Sequence, residues 1–567
     1  MPKLSIDEIL EQIYSNRGLA DLEKLEEFTS TKPVLNYDPF LIPCMEDGVD
    51  LLHDALEAGA NVCVYGDYDC DGVTSTALIY SFLKLAISQL ISEPDSSKQE
   101  DSLQPQSKIT CYIPNRIEEG YGLNMSAIEK ISASGCDLII TVDCGSVSAA
   151  EVAYAHELGM EIIITDHHEV DPNHIPDCPV INPKLPDGIY PYQSISGCTV
   201  AYKFAQAYQR RYGDERMRKA INNMLDLVAI SIISDVMPVV DENRTLLKYG
   251  LNMLRKGTRP SLRALCNAIS IDSSTINETS IGFGIAPHIN AAGRVGDAAA
   301  PLKFLLTSDE TKLNGLVSKL IEYNNTRKTL QSTCFDYCKT IMDIEQKNYP
   351  ILVIDAGVSH EGIIGIVAGK LKELSSKPAI VLTATDEDGV LKASCRSIGR
   401  LNIIELLRSH NDLFLKLGGH AMAAGFSIKE EKLDDLVTRL IEDVETQLAA
   451  DPTLFSEGLE VDIDTDADSI PLELELVERL DVLAPYGGGN PQPTFALNGL
   501  ISDIFYMGKE KQHVKFKTGG LTCVYFSHAA DYKDVLKPGS EIRITGNLNL
   551  NEYKGSKSLQ MIVRKIG

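Results

Sequence analysis

The chain has 567 residues, of which 44% are hydrophobic and 23% charged, with a net charge of −27. This composition is that of an ordinary globular protein of several domains, and so acidic a chain is not one that coats its whole surface in nucleic acid. The opening MPKLSIDEIL lacks a signal peptide, no uninterrupted apolar run approaches a membrane span, and 13 cysteines without a CxxC pair indicate reduced thiols, so we expect a cytoplasmic protein without a membrane segment.

Short apolar runs alternate with helical segments between residues 60 and 240, and three of them read NVCVY, DLIITV and EIIIT. This alternation is typical of the βαβ units of a parallel sheet. The polar stretch 92–107 follows the first helical segment and predicts a solvated surface loop. We therefore expect an N-terminal segment and a parallel-sheet α/β domain within residues 1–250.

The motif GDYDCDG follows the first apolar run and contains Asp67, Asp69 and Asp71. It begins like a calcium EF-hand loop, but the twelfth position is Leu78 where a bidentate Glu is required, and a strand rather than a helix precedes it. A strand that ends in DYD would place the first two carboxylates on one face, and a turn after them would lead into a helix. Asp and Gly are also ordinary turn formers, so this stretch alone leaves a metal site and a plain turn as alternatives.

Further carboxylates and imidazoles follow apolar segments later in the chain. They are Asp143 in VDCGS, Asp166 with His167 and His168 in TDHH, and Asp235 in SDVMP. Open α/β sheets build their sites beyond the carboxyl ends of the strands, so these side chains are expected to converge. Oxygen donors with one or two imidazoles suit Mn²⁺ or Mg²⁺ better than structural zinc.

Two such ions about 3.5–4 Å apart can activate a water and stabilise the leaving oxygen in phosphoester cleavage. The adjacent histidines at a strand end are expected to point to opposite faces, so that one binds metal and the other faces the substrate. Each piece also has a plain structural explanation, because a lone Asp after a strand is commonly a helix N-cap and a lone His is commonly a hydrogen-bonded structural residue.

The second half of the chain predicts three further regions. They are a helical connector over 251–345, a smaller α/β domain over 346–452, and short strands of a small β-barrel within 453–567. Residues 501–567 carry 11 Lys and Arg against six Asp and Glu, whereas residues 1–500 carry 42 against 74. Lys509, Lys511, Lys515 and Lys517 alternate along one predicted strand and share a face, which either tracks a nucleic-acid backbone or is merely solvated.

The motifs GDYDCDG, VDCGS, TDHH and SDVMP, in this order, resemble the four motifs of the DHH phosphoesterase family. IAPHINAAGRVGDA (285–298) resembles a segment of its single-strand exonucleases, and SHEGIIGIVAGKL (359–371), SCRSI (394–398) and KLGGHAMAAGFSI (416–428) resemble the DHHA1 domain. LAPYGGGNPQP (483–493) and LNLNEYKGSKSLQMIV (548–563) resemble the C-terminal OB-fold of those exonucleases. The resemblance implies an α/β fold with a parallel-sheet DHH domain and a smaller DHHA1 domain joined by a long helix, followed by an OB-fold barrel.

The resemblance also implies a 5′-to-3′ exonuclease that releases mononucleotides from single-stranded DNA with two Mn²⁺ or Mg²⁺ ions, in DNA repair and recombination. Its implied metal ligands are Asp67, Asp69, Asp143, His167 and Asp235. Asp166 would orient the neighbouring imidazole, and His168 would contact the scissile phosphate or assist proton transfer. The implied substrate-binding residues are Arg294, Ser394, Arg396 and His420, with Gly418 and Gly419 letting the backbone approach the strand.

Several alternatives stay open at this point. Arg294 can cap a helix, and the GGH string can be a plain turn that ends in a packed His. A DHH nanoRNase or cyclic-dinucleotide phosphodiesterase would share two of the domains but not the basic barrel, and a catalytically inactive single-strand-binding scaffold would lack the complete ligand set. We expect a monomer and a strand that threads between the two lobes. By family analogy alone, the expected partners are a single-strand-binding protein and a RecQ-type helicase.

Overall fold

The structure, a computed structural model, describes residues 3–30, 35–92, 107–186, 188–456, 458, 460–508, 511–526, 532, 535–553 and 556–567. Most of the predicted loop 92–107, as well as Lys509, lies outside the described residues. The chain forms two compact units. We call Pro39–Ser234 with Met253–Gly458 the central unit, and Met1–Asp38 with Asp235–Asn252 and Leu459–Gly567 the terminal unit.

The described residues form both helices and strands. The α-helices are α1 (Ile6–Asn16), α2 (Leu22–Thr29), α3 (Met45–Glu57), α4 (Cys70–Ser92), α5 (Met125–Ala133), α6 (Ala149–Glu157), α7 (Gly197–Tyr212), α8 (Glu215–Asn222), α9 (Leu225–Ser234), α10 (Asp241–Lys256), α11 (Pro260–Ala268), α12 (Glu278–Ser280), α13 (Ala286–Val295), α14 (Ala299–Leu306), α15 (Glu310–Ile344), α16 (Glu361–Ser375), α17 (Ile403–Arg408), α18 (Leu433–Ala450) and α19 (Leu474–Leu480). The strands are β1 (Val62–Gly66), β2 (Ile109–Tyr112), β3 (Leu138–Val142), β4 (Glu161–Thr165), β5 (Val180–Ile181), β6 (Leu352–Asp355), β7 (Ala379–Ala384), β8 (Val390–Arg396), β9 (Phe414–His420), β10 (Ala423–Lys429), β11 (Ile463–Asp466), β12 (Thr494–Met507), β13 (His513–Thr518), β14 (Leu521–Tyr525), β15 (Glu541–Tyr553) and β16 (Ser556–Ile566).

The first sheet of the central unit has the strand order β2-β1-β3-β4-β5, and every pair in it is parallel. Every residue of β1 and β3 is buried, as expected for a parallel sheet that is covered on both faces. The predicted parallel α/β sheet is therefore confirmed. Because the strands run the same way, the segments that follow β1, β3 and β4 emerge side by side at one edge.

Helix α4 begins inside the GDYDCDG motif. Its first residues include Asp71 and Gly72, whereas β1 already ends at Gly66, so the predicted strand through DYD is wrong and the chain turns between Gly66 and Cys70. A Cβ on Gly72 would lie 2.5 Å from the carbonyl oxygen of Asp67, so the first turn of the helix packs directly on that loop. The absence of a side chain at Gly72 lets the helix start this close to the carboxylates.

Residues Cys70–Ile91 of α4 are long and apolar enough to span a membrane by length and composition. The sequence expectation considered only uninterrupted apolar runs and overlooked this segment, whose few polar residues are scattered. Half of it is buried in the protein, and the helix packs against α7 and α9. A core helix meets the same criterion, so this finding is weak evidence for a membrane segment.

The second sheet of the central unit has the order β6-β7-β8-β10-β9, in which only β6 and β7 are parallel. The 35-residue helix α15 joins the two sheets and is about 52 Å long. Its first half packs against α13 and α14, while Cys334, Cys338 and Met342 from its second half enter the core formed by β6, β7 and α16. The predicted smaller α/β domain and long connecting helix are confirmed.

The terminal unit contains a six-stranded sheet in which β12 also pairs with β15, so that β12, β13, β14, β16 and β15 close into a barrel. The predicted C-terminal barrel is thus confirmed. Ile9, Leu10 and Ile13 of α1 belong to the same hydrophobic cluster as the barrel strands. The first helix of the chain therefore packs with its last domain.

Candidate active site

The loop after β1 carries two carboxylates that face a third from the neighbouring strand. Oxygens of Asp67, Asp69 and Asp143 lie within 4.8 Å of one another. Burial, and next the negative charge of Asp69, raises the pKa of Asp67 well above its ordinary value. Oδ1 of Asp67 is buried and accepts no hydrogen bond from the described residues. Clustered carboxylates with a buried acceptor atom fit a divalent cation, which supplies the missing positive charge.

Asp143 follows β3 directly and has a left-handed backbone conformation, with φ of 62°. Its backbone N–H donates to the carbonyl of Thr165 at the end of β4 at 2.9 Å, which fixes this corner against the neighbouring strand. Nε2 of His167 lies 3.1 Å from Oδ1 of Asp143. A non-glycine residue in this conformation is uncommon and concentrates at functional sites.

The two histidines follow β4, which ends at Thr165. The prediction that they point to opposite faces is wrong, because they lie beyond the strand and no longer follow its alternation. Both rings approach Asp143, with Nε2 of His167 at 3.1 Å and Nδ1 of His168 at 3.9 Å from its Oδ1. Nitrogen and oxygen atoms of these three residues lie within 4.8 Å of one another and form a second candidate metal-binding group.

Asp166 is buried and accepts four hydrogen bonds. Its donors are Nδ1 of His168 at 2.8 Å and the backbone N–H groups of Ser146, His167 and His168 at 2.9, 2.7 and 3.2 Å. Burial acts to raise the pKa of Asp166, but the hydrogen bond from His168 and the histidine charges outweigh it and lower that pKa. The carboxylate is therefore ionised, and it fixes the imidazole of His168 rather than that of His167.

Asp71 points into the same region, but its carboxylate hydrogen-bonds to neighbouring parts of the protein. Its carboxylate accepts hydrogen bonds from the backbone N–H groups of Gly197 and Cys198, both at 2.8 Å, and from Oγ of Ser231 at 2.6 Å. It also lies 3.8 Å from Nε2 of His167. Asp71 thus holds the first turn of α7 beside the candidate ligands and places that helix N-terminus near negative charge.

Asp235 directly follows α9. It is the first residue of the segment Asp235–Asn252 that belongs to the terminal unit. Its predicted role as a metal ligand stays a prediction.

Two predicted phosphate ligands, Arg294 and Arg396, come from different parts of the central unit. Arg294, in the last turn of α13, donates from Nη1 to the carbonyl of Gly362 in α16 at 3.0 Å. Burial, and next the positive charge of Arg116, lowers the pKa of Arg294 to about 10, while Asp69 acts in the opposite direction. Arg396 in β8 donates to Oγ of Ser394 at 3.2 Å and to the Cys395 carbonyl at 2.8 Å.

These arginines form a cluster of positive charge. Arg116, Arg327 and Arg396 are all close enough to Arg294 to lower its pKa. None of the four makes an ion pair with a carboxylate among the described residues. We call Arg116, Arg294, Arg327 and Arg396 the arginine cluster. The central unit has two lobes, one around its first sheet and one around its second sheet. Because the cluster lies beside the carboxylates and takes side chains from both lobes, it is suited to hold several anionic oxygens.

Sequence reasoning missed Arg116 and Tyr121, which lie in the loop after β2. The Arg116 guanidinium stacks over the ring of Tyr68 at 5.0 Å. Oη of Tyr121 lies 3.0 Å from Nδ1 of His168 and 3.3 Å from the carbonyl oxygen of Asp143. Since β2 is the parallel neighbour of β1, the polar loop at its carboxyl end was the available signal.

Ser394 and His420 belong to the second sheet. A Cβ on Gly365 of α16 would lie 2.8 Å from Oγ of Ser394 and 3.0 Å from Nη2 of Arg396, so that glycine makes room for both side chains. His420 is exposed at the end of β9. After the hydrogen bond from Lys184, the charge of His420 contributes to lowering the pKa of Glu169, which follows the histidine pair. His420 therefore lies across from that motif.

The glycine pair before His420 has a different explanation from the predicted one at one of its two positions. A Cβ on Gly419 would lie 2.4 Å from Cα of Ala424 in the neighbouring strand β10, and its φ is 143°. Gly419 is thus required by the sheet itself. A Cβ on Gly418 would meet no atom within 4 Å. Of the two glycines, only Gly418 therefore has open space beside the backbone of β9, as the predicted approach to a DNA strand requires.

Comparisons with known proteins match nearly the whole chain. Residues 61–232 match the DHH family N-terminal domain, residues 348–446 the DHHA1 domain and residues 461–565 the RecJ OB domain. The single-stranded-DNA-specific exonuclease RecJ of Bacillus subtilis is 33% identical over 573 residues, covering 99% of this chain and 68% of the relative. Two crystal structures of RecJ from Thermus thermophilus, in complex with Mn²⁺ and with Mg²⁺, superpose with TM-scores of 0.80 and 0.74 at 27% and 26% identity; both cover 99% of this chain, and 76% and 74% of the matched chains.

Proposed function

This chain belongs to the family of RecJ single-stranded-DNA-specific exonucleases, and on that basis we propose that it releases 5′-mononucleotides from single-stranded DNA in the 5′-to-3′ direction. The observation that carries the proposal is the meeting of two sets of groups in the central unit. Carboxylates and imidazoles follow β1, β3 and β4, and the arginine cluster lies beside them. The first set suits divalent cations, and the second suits a phosphodiester backbone.

We propose that the chain uses two Mn²⁺ or Mg²⁺ ions, the ions present in the structures of the Thermus relative. Asp67, Asp69 and Asp143 would hold one ion, and Asp143 with His167 the other, with Asp235 as a further ligand. Ions held by these residues would activate a water and stabilise the leaving oxygen of a phosphodiester. The match to the RecJ OB domain supports the exonuclease over a smaller DHH phosphodiesterase.

His168 is the residue best placed to handle a proton. Its Nδ1–H donates to the ionised Asp166, which leaves Nε2 as the atom that gains or loses a proton. The carboxylate stabilises the protonated ring, and Oη of Tyr121, which donates to the Asp143 carbonyl, lies 3.0 Å from the same Nδ1. With its side chain 38% exposed, His168 is open to solvent and would contact a scissile phosphate or a leaving oxygen.

We further propose that the strand runs between the two lobes of the central unit, in a groove too narrow for duplex DNA. Arg294 and Arg396 would each bind phosphate oxygens, since a planar guanidinium offers two parallel donors. Ser394 and His420 would line the second wall of the groove. A blunt duplex end degraded as fast as a single strand would contradict this path.

The cellular setting follows from the family and is likewise a proposal. We propose a cytoplasmic monomer without a membrane partner that acts in DNA repair and recombination. A single-strand-binding protein and a RecQ-type helicase would supply and hold its substrate.

The decisive experiment uses two single strands, one labelled at the 5′ end and one at the 3′ end, each incubated with Mn²⁺. The wild-type chain is compared with Asp143→Asn, because Asn tolerates the left-handed conformation at this position. Asp386→Asn, in an exposed hairpin turn, is the matched control. Prompt release of a labelled mononucleotide from the 5′ end only, lost in Asp143→Asn alone, is the expected result.

Two outcomes would overturn the proposal. Release from the 3′ end would reverse the polarity. Strand binding without cleavage by the wild-type chain would identify a scaffold and remove the two-metal mechanism.

A further inference from the structure

A buried polar network on the connecting helix α15 ends at one member of the arginine cluster. Nδ1 of His288 in α13 bonds to the carbonyl of Gly284 at 2.6 Å, so this nitrogen carries the proton and Nε2 is an acceptor. That acceptor receives Nδ2 of Asn324 at 3.0 Å. Oδ1 of Asn324 then accepts from Nη2 of Arg327 at 2.6 Å, and Oε1 of Gln331 accepts from Nη1 at 2.8 Å.

The network determines the orientation of both amides. Asn324 is 1% exposed and Gln331 5% exposed. Because Nε2 of His288 accepts, Asn324 must present its amide nitrogen to the histidine and its oxygen to Arg327. The guanidinium is therefore held between residues three positions before and four positions after it on one face of the helix.

Arg327 is arranged for a ligand rather than for an internal ion pair. Both of its partners among the described residues are neutral amide oxygens, and these bonds use two of its five N–H donors. Its guanidinium lies close enough to Arg294 to lower the pKa of that residue. Positive charges brought together in a partly buried region repel each other unless an anion binds.

We propose that Arg327 is a further phosphate-binding residue of the groove, and that Asn324 and His288 are positioning residues that hold its guanidinium toward the strand. This inference rests on the proposed function, because it takes the ligand to be the phosphodiester backbone of single-stranded DNA. Arg327 would bind a phosphate next to the one held by Arg294. It adds a contact from the connecting helix to those from the two lobes.

The test measures strand binding and cleavage separately. Fluorescence anisotropy with a labelled single strand is recorded in the Asp143→Asn background without added divalent metal, and steady-state cleavage is recorded with Mn²⁺ in the otherwise wild-type chain. We expect Arg327→Gln to raise Kd and KM about tenfold while kcat changes less than threefold. The slope of log Kd against log salt should become shallower by about 0.7, the value for one lost phosphate contact on a single strand.

Lys339→Gln is the matched control, because it removes one positive charge from an exposed position on the same helix. It should leave Kd, KM and the salt slope unchanged. Arg327→Lys should restore the salt slope but only part of the affinity, since an ammonium group cannot bridge the two amides. Asn324→Ala should raise Kd in the wild-type Arg327 background and add nothing in the Arg327→Gln background.

Each remaining outcome decides the inference. If Arg327→Gln binds the strand as Lys339→Gln does, while its thermal midpoint matches that of the wild type, the phosphate contact is overturned. If the effects of Asn324→Ala and Arg327→Gln multiply, the positioning role of Asn324 is overturned. If the wild-type chain cleaves neither labelled strand, the exonuclease proposal fails, and the metal-free binding comparison still decides the role of Arg327.

Discussion

Two arginines of the terminal unit and the arginine cluster of the central unit do different work. In the terminal unit, Arg17 makes a bidentate pair with Asp462 at 2.9 and 3.0 Å, and Arg543 makes one with Asp464. In the central unit, Arg294 and Arg327 hydrogen-bond only to neutral oxygens among the described residues. A guanidinium whose counter-ion is part of the fold stabilises the fold. A guanidinium without a carboxylate partner is available to a ligand. The loss of folding stability that its unpaired charge causes is then a consequence of its function.

The largest effect is expected where negative charge is concentrated and uncompensated. Asp143→Asn should lower the cleavage rate by at least about 10³-fold, equivalent to about 4 kcal/mol of barrier. The same change should shift the unfolding free energy of the metal-free protein by less than about 1 kcal/mol, because it also removes repulsion among the carboxylates. Labelled-strand cleavage and thermal unfolding measure the two quantities. More than a tenth of wild-type activity in this variant would contradict the assignment of Asp143.

The next effect concerns stability rather than activity. Arg17→Gln should lower the unfolding free energy of the terminal unit by about 2 kcal/mol, because it leaves the carboxylate of Asp462 without its charged partner. The two side chains are only 13% and 9% exposed, so solvent compensates little. Thermal unfolding of the full chain is the measurement. A midpoint equal to that of the wild type would remove the contrast between Arg17 and the arginine cluster.

Arg396→Gln should weaken substrate binding and leave stability unchanged, the reverse of what we expect for Arg17→Gln. We expect KM for a single strand to rise about tenfold, about 1.4 kcal/mol, while the unfolding midpoint does not fall. Arg400→Gln is its control, because Arg400 is exposed and pairs with Asp451 outside the arginine cluster. Steady-state cleavage and thermal unfolding are measured for both variants. A lowered midpoint with unchanged KM would make Arg396 a structural residue.

The smallest effect is expected at an exposed ion pair of the terminal unit. The hydrogen bond from Arg543 lowers the pKa of Asp464. Its stabilisation is therefore present above the ordinary Asp pKa of about 3.9 and is lost as the pH falls through the lower pKa of the folded state. Both side chains are about half exposed, so Asp464→Asn should cost no more than about 0.5 kcal/mol at pH 7. The difference in unfolding midpoint should shrink at pH 3, and a difference that persists there would exclude the ion pair as its cause.

The sequence predicted that the candidate ligands converge, because chain direction alone brings them together. Asp67, Asp143 and His167 each follow a strand of one parallel sheet, so the topology places them at one edge before any side-chain detail is known. The finer geometry was not predictable in this way. The alternation expected of the histidine pair failed because β4 ends at Thr165, and a loop has no fixed period.

The residues that sequence reasoning missed share a physical cause. Arg116 and Tyr121 lie in a loop, where the direction of a side chain depends on tertiary packing and not on spacing. Arg327 lies on a helix, with amide side chains three residues before it and four residues after it. In the sequence, this pattern does not differ from that of a solvent-exposed helix face. Only the burial of those amides separates the two cases, and burial is decided by the helices that pack against α15.

The uninterrupted helix α15 has a consequence for how the active site tolerates insertions and deletions. Asn324 hydrogen-bonds to His288 of α13, and Cys338 lies in the core of the second lobe, 14 residues further along the same helix. Removing one residue between them would rotate one lobe about 100° around the helix axis relative to the other and bring it about 1.5 Å closer. The number of residues in this stretch therefore determines the rotation of one lobe relative to the other. It constrains the site as strictly as the identity of any ligand.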